Sequence, residues 1–144
     1  MTYTKLFQRM IGMALVLLLL AGCGTQSASP KPGARFAGKI AMDTAKTAQI
    51  TFEISADGQS IVSLGFSGTE IKCGGFSAGS TSSNTSGQYP VMEGKIEIKS
   101  SGIGDITGRF TSPTKAEGSI HIMLGSGMGS AIDCGTWNWS ATGD

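Results

Sequence analysis

From Arg35 onward the chain is written in period two, and that alternation constrains its fold more than any other feature. Phe36, Gly38, Ile40 and Met42 share one parity, and Ile50, Phe52 and Ile54 form a second row with Gln49, Thr51, Glu53 and Ser55 opposite. Successive side chains of a strand point to opposite faces, so such rows build antiparallel sheets with one buried side. The pattern returns in Val62, Leu64 and Phe66, in Ile96 and Ile98, and in Ile106, Gly108 and Phe110. It returns again in Gly118, Ile120, Ile122 and Leu124, and in Trp137, Trp139 and Ala141. Thr69 to Cys73 reads as a further short strand. Asp57-Gly58, inside Ala56–Gln59, supplies the positive φ of a tight hairpin, and Ser112-Pro113-Thr114 supplies another turn.

No helical period follows residue 34, and 22 glycines suit a turn-rich all-β protein. The expectation is an all-β domain over 35–144. It would be an antiparallel β-sandwich of about seven or eight strands, with a small β-barrel as the alternative. Gly38, Gly108 and Gly118 interrupt the apolar rows, marking bulges or places where a large aromatic lies against backbone. Gly74 to Tyr89, dominated by Gly, Ser and Thr, reads as a long loop, and Gly125 to Ser130 as a flexible hairpin loop. That second loop lacks the Lys-Ser/Thr ending and the helix of a phosphate cradle.

The N-terminus follows other rules. Lys5 and Arg9 precede a ten-residue apolar run, Ile11 to Leu20. As a helix it crosses roughly half of a bilayer's hydrocarbon core, which suits a signal peptide better than a permanent span. Leu20-Ala21-Gly22-Cys23 then resembles the lipobox of bacterial lipoproteins at all four positions. The resemblance covers the first 23 residues. It implies a cleaved signal peptide helix over 1–22, diacylglycerol on the Cys23 sulfur, and acylation (a palmitate-type modification) of the new amino end. Two or three acyl chains hold a protein firmly where one does not. The implied partner is membrane lipid, and the implied location is a cell membrane or outer membrane on its extracytoplasmic side. Gly24, where an Asp marks inner-membrane retention in such proteins, is compatible with an outer membrane. Residues 23–34 then form the lipidated cysteine and a disordered tether. Gly24 to Ala34 has no large apolar residue, carries Pro30 and Pro32, and reaches at most about 36 Å.

Charge narrows the partners. The chain has 11 basic and 10 acidic residues; removing Lys5 and Arg9 with the leader leaves 9 against 10, a net charge of −1. With no basic cluster, no nucleic-acid partner is expected, because such binders concentrate positive charge to displace phosphate counterions.

Lipidation of Cys23 leaves Cys73 and Cys134, an even remainder that reads as one disulfide in an exported domain. Two thiols alone lack the further ligands zinc requires, so no metal and no cofactor is expected. His121, the single histidine, lies on the parity opposite the inward row and should face solvent, without a spacing that suggests a nucleophile. The carboxylates are scattered, with no calcium-loop spacing, and no catalytic residue is assigned. Trp137 and Trp139 share a face and form either core or an aromatic platform; Phe76 and Tyr89 would join such a binding surface.

The stretches FAGKI (36–40), GRFTSPTKAEGSI (108–120) and CGTWNWSA (134–141) resemble a β-sandwich module of secreted bacterial proteins. The likeness implies the fold and no activity. The functional expectation is a membrane-anchored cell-envelope lipoprotein, a non-catalytic binding or structural module meeting an envelope protein or glycan. The alternative is a carbohydrate-binding or hydrolytic envelope enzyme.

Overall fold

The computed structural model describes residues 27–100, 103–125 and 131–144, the side chains of Phe76 and Ser100 excepted. The segment read as a signal peptide, Cys23 and most of the 125–130 loop lie outside the described residues. Eight strands follow one another: β1 Arg35–Ile40, β2 Thr47–Ile54, β3 Ser60–Cys73 and β4 Phe76–Pro90, then β5 Lys95–Ser100, β6 Gly104–Ser112, β7 Lys115–Leu124 and β8 Ile132–Gly143. All pairings are antiparallel, and no helix occurs among the described residues.

The strands form one sheet in the order β4-β3-β2-β1-β8-β7-β6-β5. Two four-strand meanders meet where β1 pairs with β8, Ala37 opposite Thr142 and Lys39 opposite Ser140. The two-sheet sandwich is therefore corrected. A sandwich needs a break in the ladder, and the β1–β8 pairing leaves none. The sheet also cannot be flat. β4 and β5 are its two opposite edges, yet only Val91–Gly94 joins them. Laid flat, seven inter-strand spacings separate the edges by about 34 Å, and that link reaches about half as far. The sheet curls into a half-barrel.

The concave side is the core. Phe36 and Phe52 stack at 4.8 Å, and Phe110 meets Phe36 edge-on at 5.4 Å. Trp139 meets Phe52 edge-on at 6.0 Å. Ile50, Ile54, Ile61, Leu64, Ile71, Ile106, Ile120 and Ile122 are almost fully buried around them. The glycines in the apolar rows answer to this curl. A Cβ on Gly108 would lie 2.5 Å from Cζ2 of Trp139, so the indole does lie against that backbone. A Cβ on Gly38 would lie 2.0 Å from the Ser140 carbonyl oxygen, at the β1–β8 contact.

Two irregularities in β3 shift its parity. A register shift between Ile61 and Ser63 buries Ile61, while Val62, expected inward, is half-buried. Glu70, with φ 51°, turns the strand so that Ile71 points inward rather than Glu70 itself. Thr69–Cys73 is thus the end of β3 and not a separate strand.

Two segments read as irregular are ordered. Most of Gly74–Tyr89, expected as a loop, lies in the longest strand, Phe76–Pro90, paired with β3 from Cys73↔Phe76 to Ser60↔Pro90. Ser and Thr fit a pleated surface as well as a loop, and a long partner strand satisfies their backbone groups. Ser27–Ala34, expected as free tether, straps one end of the half-barrel. Ala28 N–H donates to Phe110 O at 2.8 Å, Lys31 N–H to Pro113 O at 2.9 Å and Gly33 N–H to Ser55 O at 3.0 Å. Pro30, within the strap, is buried. Proline lacks an N–H, so an extended Pro-rich strap is held by the donors of its other residues.

Candidate functional site

The disulfide is present: Cys73 closes β3, Cys134 lies in β8, and their Cα atoms are 5.1 Å apart. They join strands that are not neighbours in the sheet, across the mouth opposite the strap.

Trp139 is 3 % exposed and belongs to the core, which removes it from any exposed platform. Trp137 is half-buried, and its Nε1–H donates to the Cys134 carbonyl oxygen at 2.8 Å. Tyr89 is half-buried at the far end of β4, its hydroxyl 3.3 Å from Thr85 Oγ1. Phe76 pairs through its backbone with Cys73, and its side chain lies outside the described residues. Tyr89 pairs with Ile61 near the strap end, whereas Trp137 follows Cys134 at the other. The four aromatics singled out in the sequence thus do not form one surface.

The convex face carries a different arrangement. In β2, β3 and β4 the outward residues stand in register. Thr47 faces Thr69 and Thr69 faces Ser80; Gln49 faces Ser67 and Ser67 faces Ser82; Thr51 faces Gly65 and Gly65 faces Asn84. Sheet geometry sets these rows about 4.8 Å apart across strands and about 6.8 Å apart along them. Thr47 and Thr69 hydroxyls are hydrogen-bonded at 2.6 Å. The patch is neutral, bordered by Lys46–Glu70 at 3.0 Å on one side and Arg35–Glu53 at 3.4 Å on another. A shallow depression lies among Thr47, Gln49, Ser67, Thr69, Ser80 and Ser82.

A second arrangement lies on the outer face of β6–β8. His121 Nε2 is 2.8 Å from Asp133 Oδ1, with Asp105 its cross-strand neighbour in β6. Gly135 N–H donates to the same Asp133 oxygen at 2.8 Å, and this bond, then the one from His121, holds the Asp133 carboxyl below its ordinary range. Histidine faces outward as its parity predicts. Its partner escaped the sequence reading because the two lie twelve positions apart, on neighbouring antiparallel strands. The pair orients an imidazole, yet among the described residues no nucleophile is bonded to it, and both side chains lie open on a strand face. Beside it, Arg109 and Glu117 pair at 2.8 Å in a shallow groove with Lys95, Thr107 and Asn138. Among the described residues no three His, Cys, Asp or Glu side chains gather as metal ligands.

Met92 is one functional candidate that sequence reasoning missed. It is the one large hydrophobic side chain left exposed among the described residues, at 70 %. No family model, no curated protein and no solved structure matches the chain.

Proposed function

We propose that this chain is a lipid-anchored protein of the cell envelope. Its domain is a non-catalytic binding or structural module, held to a membrane by diacylglycerol on Cys23. The observation that carries the reading is the accounting of sulfur. Cys73 and Cys134 are joined, so the third cysteine, the one in Leu20-Ala21-Gly22-Cys23, is the thiol left for lipid. A disulfide that spans the fold also belongs to an oxidising compartment, outside the cytosol. With two or three acyl chains the anchor is stable without any transmembrane helix.

Contact with an envelope partner is assigned to the neutral rows of β2–β4. They lie within and beside the Gly74–Tyr89 stretch and offer dense donors and acceptors without charge. A protein partner is the first reading. A neutral glycan is the second, favoured by the match between uncharged hydroxyl and amide rows and a polyhydroxylated chain.

Metabolic labelling with a clickable fatty acid tests the anchor. The wild-type protein takes up the probe and sediments with membranes, whereas Cys23→Ser loses both. A wild-type protein that stays unlabelled sinks the proposal. For the surface, Gln49→Glu with Ser82→Glu, two strands apart, should abolish crosslinking to an envelope protein, or retention on cell-wall polysaccharide, at unchanged melting temperature. Retention of both would remove this patch as the contact.

A further inference from the structure

In an antiparallel meander alternate turns lie at opposite ends, and here the two ends differ. One end holds the β2–β3 turn at 55–59, the β4–β5 turn at 91–94, the β6–β7 turn and both ends of the domain. The strap ties these together. Lys31 N–H reaches Pro113 O, Gly33 N–H reaches Ser55 O, and Val91 N–H reaches Gln59 O at 2.8 Å. At Gly94, φ 71°, a Cβ would stand 2.3 Å from the Ala28 carbonyl oxygen, so the start of the strap lies directly against the β4–β5 turn. The other end holds the disulfide and the tip of the β3–β4 hairpin.

We propose that the strap end, led by Met92 in the β4–β5 turn, rests on the lipid surface in which the domain is anchored. The proposal stands on the Cys23 anchor proposed above and adds an orientation to it. Two independent observations carry it. The first is reach. Because the strap is docked from Ser27, four peptide units separate Cys23 from fixed structure, a span of at most about 14 Å against about 36 Å for a tether free to Ala34. A tether that short keeps whichever end carries Ser27 at the headgroups. The second is surface chemistry. The exposed Met92 sits in that same turn, two residues from Gly94, where a thioether side chain enters the boundary between headgroups and acyl chains, about 5–10 Å deep. Lys95, 3.9 Å from Glu93 across the same turn, leaves the turn without net charge against the headgroups. The β3–β4 tip would then project away from the membrane by up to about 45 Å, the length of β3.

The test uses the mature acylated protein in phosphatidylethanolamine–phosphatidylglycerol vesicles containing brominated acyl chains. Met92→Trp adds a fluorophore at the strap end and Ser77→Trp adds one at the hairpin tip, both at exposed positions. The added emission of Met92→Trp should be lost in brominated vesicles and that of Ser77→Trp retained. Equal retention of both in protein that carries the acyl label and floats with the vesicles overturns the orientation alone. Protein that neither carries the label nor floats overturns the anchor, and the orientation with it. A melting temperature equal to that of the parent shows that each variant is folded.

Discussion

Glycine in this molecule is a packing residue as much as a turn residue. Gly108 and Gly118 face each other across β6 and β7, and the Trp139 ring fills the space their missing side chains leave. Gly108→Ala would push a methyl into that ring and the Glu117 carbonyl oxygen, and should cost about 1–3 kcal/mol as overpacking does. A fall in melting temperature together with a shift in tryptophan emission would report it; an unchanged emission maximum would mean that Trp139 does not depend on this contact. Acid sensitivity is also set residue by residue. The Asp57 carboxyl lies below its ordinary value of 3.8, first through the Ser55 hydroxyl and then through Gln59 N–H. A carboxyl lowered by folding contributes stability that is fully present above the unfolded value and lost as pH falls through the lowered one. Asp133 and Asp144 follow the same sign, Asp144 mainly through the Arg35 N–H. Melting temperature should therefore fall below about pH 4, and Asp57→Asn should flatten that fall while lowering stability at neutral pH. A variant with the parent's slope would remove this turn as a contributor.

Among the elements, the two sheet edges differ in kind. β5 is six residues long and carries Lys95, Glu97 and Lys99 outward, the charged short edge that resists pairing with other chains. β4 is fifteen residues long and has no charge between Phe76 and Pro90. Its defence is composition: Ser, Thr, Gly and Asn bury too little to drive aggregation. Replacing Ser80, Ser82 and Ser86 together with Val should turn that edge into an association site, visible as concentration-dependent sedimentation. A variant that stays monomeric at every concentration would show that the edge is protected by something other than side-chain polarity. The β4–β5 turn carries a further prediction. Glu93 and Gly94 have φ of 52° and 71°, the arrangement of a two-residue hairpin turn that favours Asn-Gly. Glu93→Asn should stabilise by about 0.5–1 kcal/mol, since a bulky L residue is strained there and its ion pair with Lys95, at 3.9 Å and well exposed, contributes little. A lower melting temperature would contradict this account of the turn.

At the scale of the whole molecule, a half-barrel is fastened at both mouths, by the strap at one and by Cys73–Cys134 at the other. The disulfide closes a loop of 61 residues, for which chain entropy in the unfolded state gives about 4 kcal/mol. Cys73→Ser with Cys134→Ser should lower stability by up to that amount; a variant as stable as the parent under denaturant would show that the strap and core close the fold unaided.

The strand class, most inward rows, the hairpin at Asp57-Gly58, the cysteine pairing and the outward face of His121 are legible in the bare chain. Each depends on parity or on counting, which are local properties of a chain with side-chain period two. Tertiary structure alone decided the rest. Whether eight strands make two sheets or one curled sheet depends on the β1–β8 pairing, which joins the two ends of the domain and leaves no trace in either segment. Phe76–Pro90 is a strand because β3 supplies its hydrogen bonds, and Ser27–Ala34 is ordered because Phe110, Pro113 and Ser55 offer carbonyls to it. His121 and Asp133 meet for the same reason. Backbone groups must find partners, and those partners lie far away in sequence.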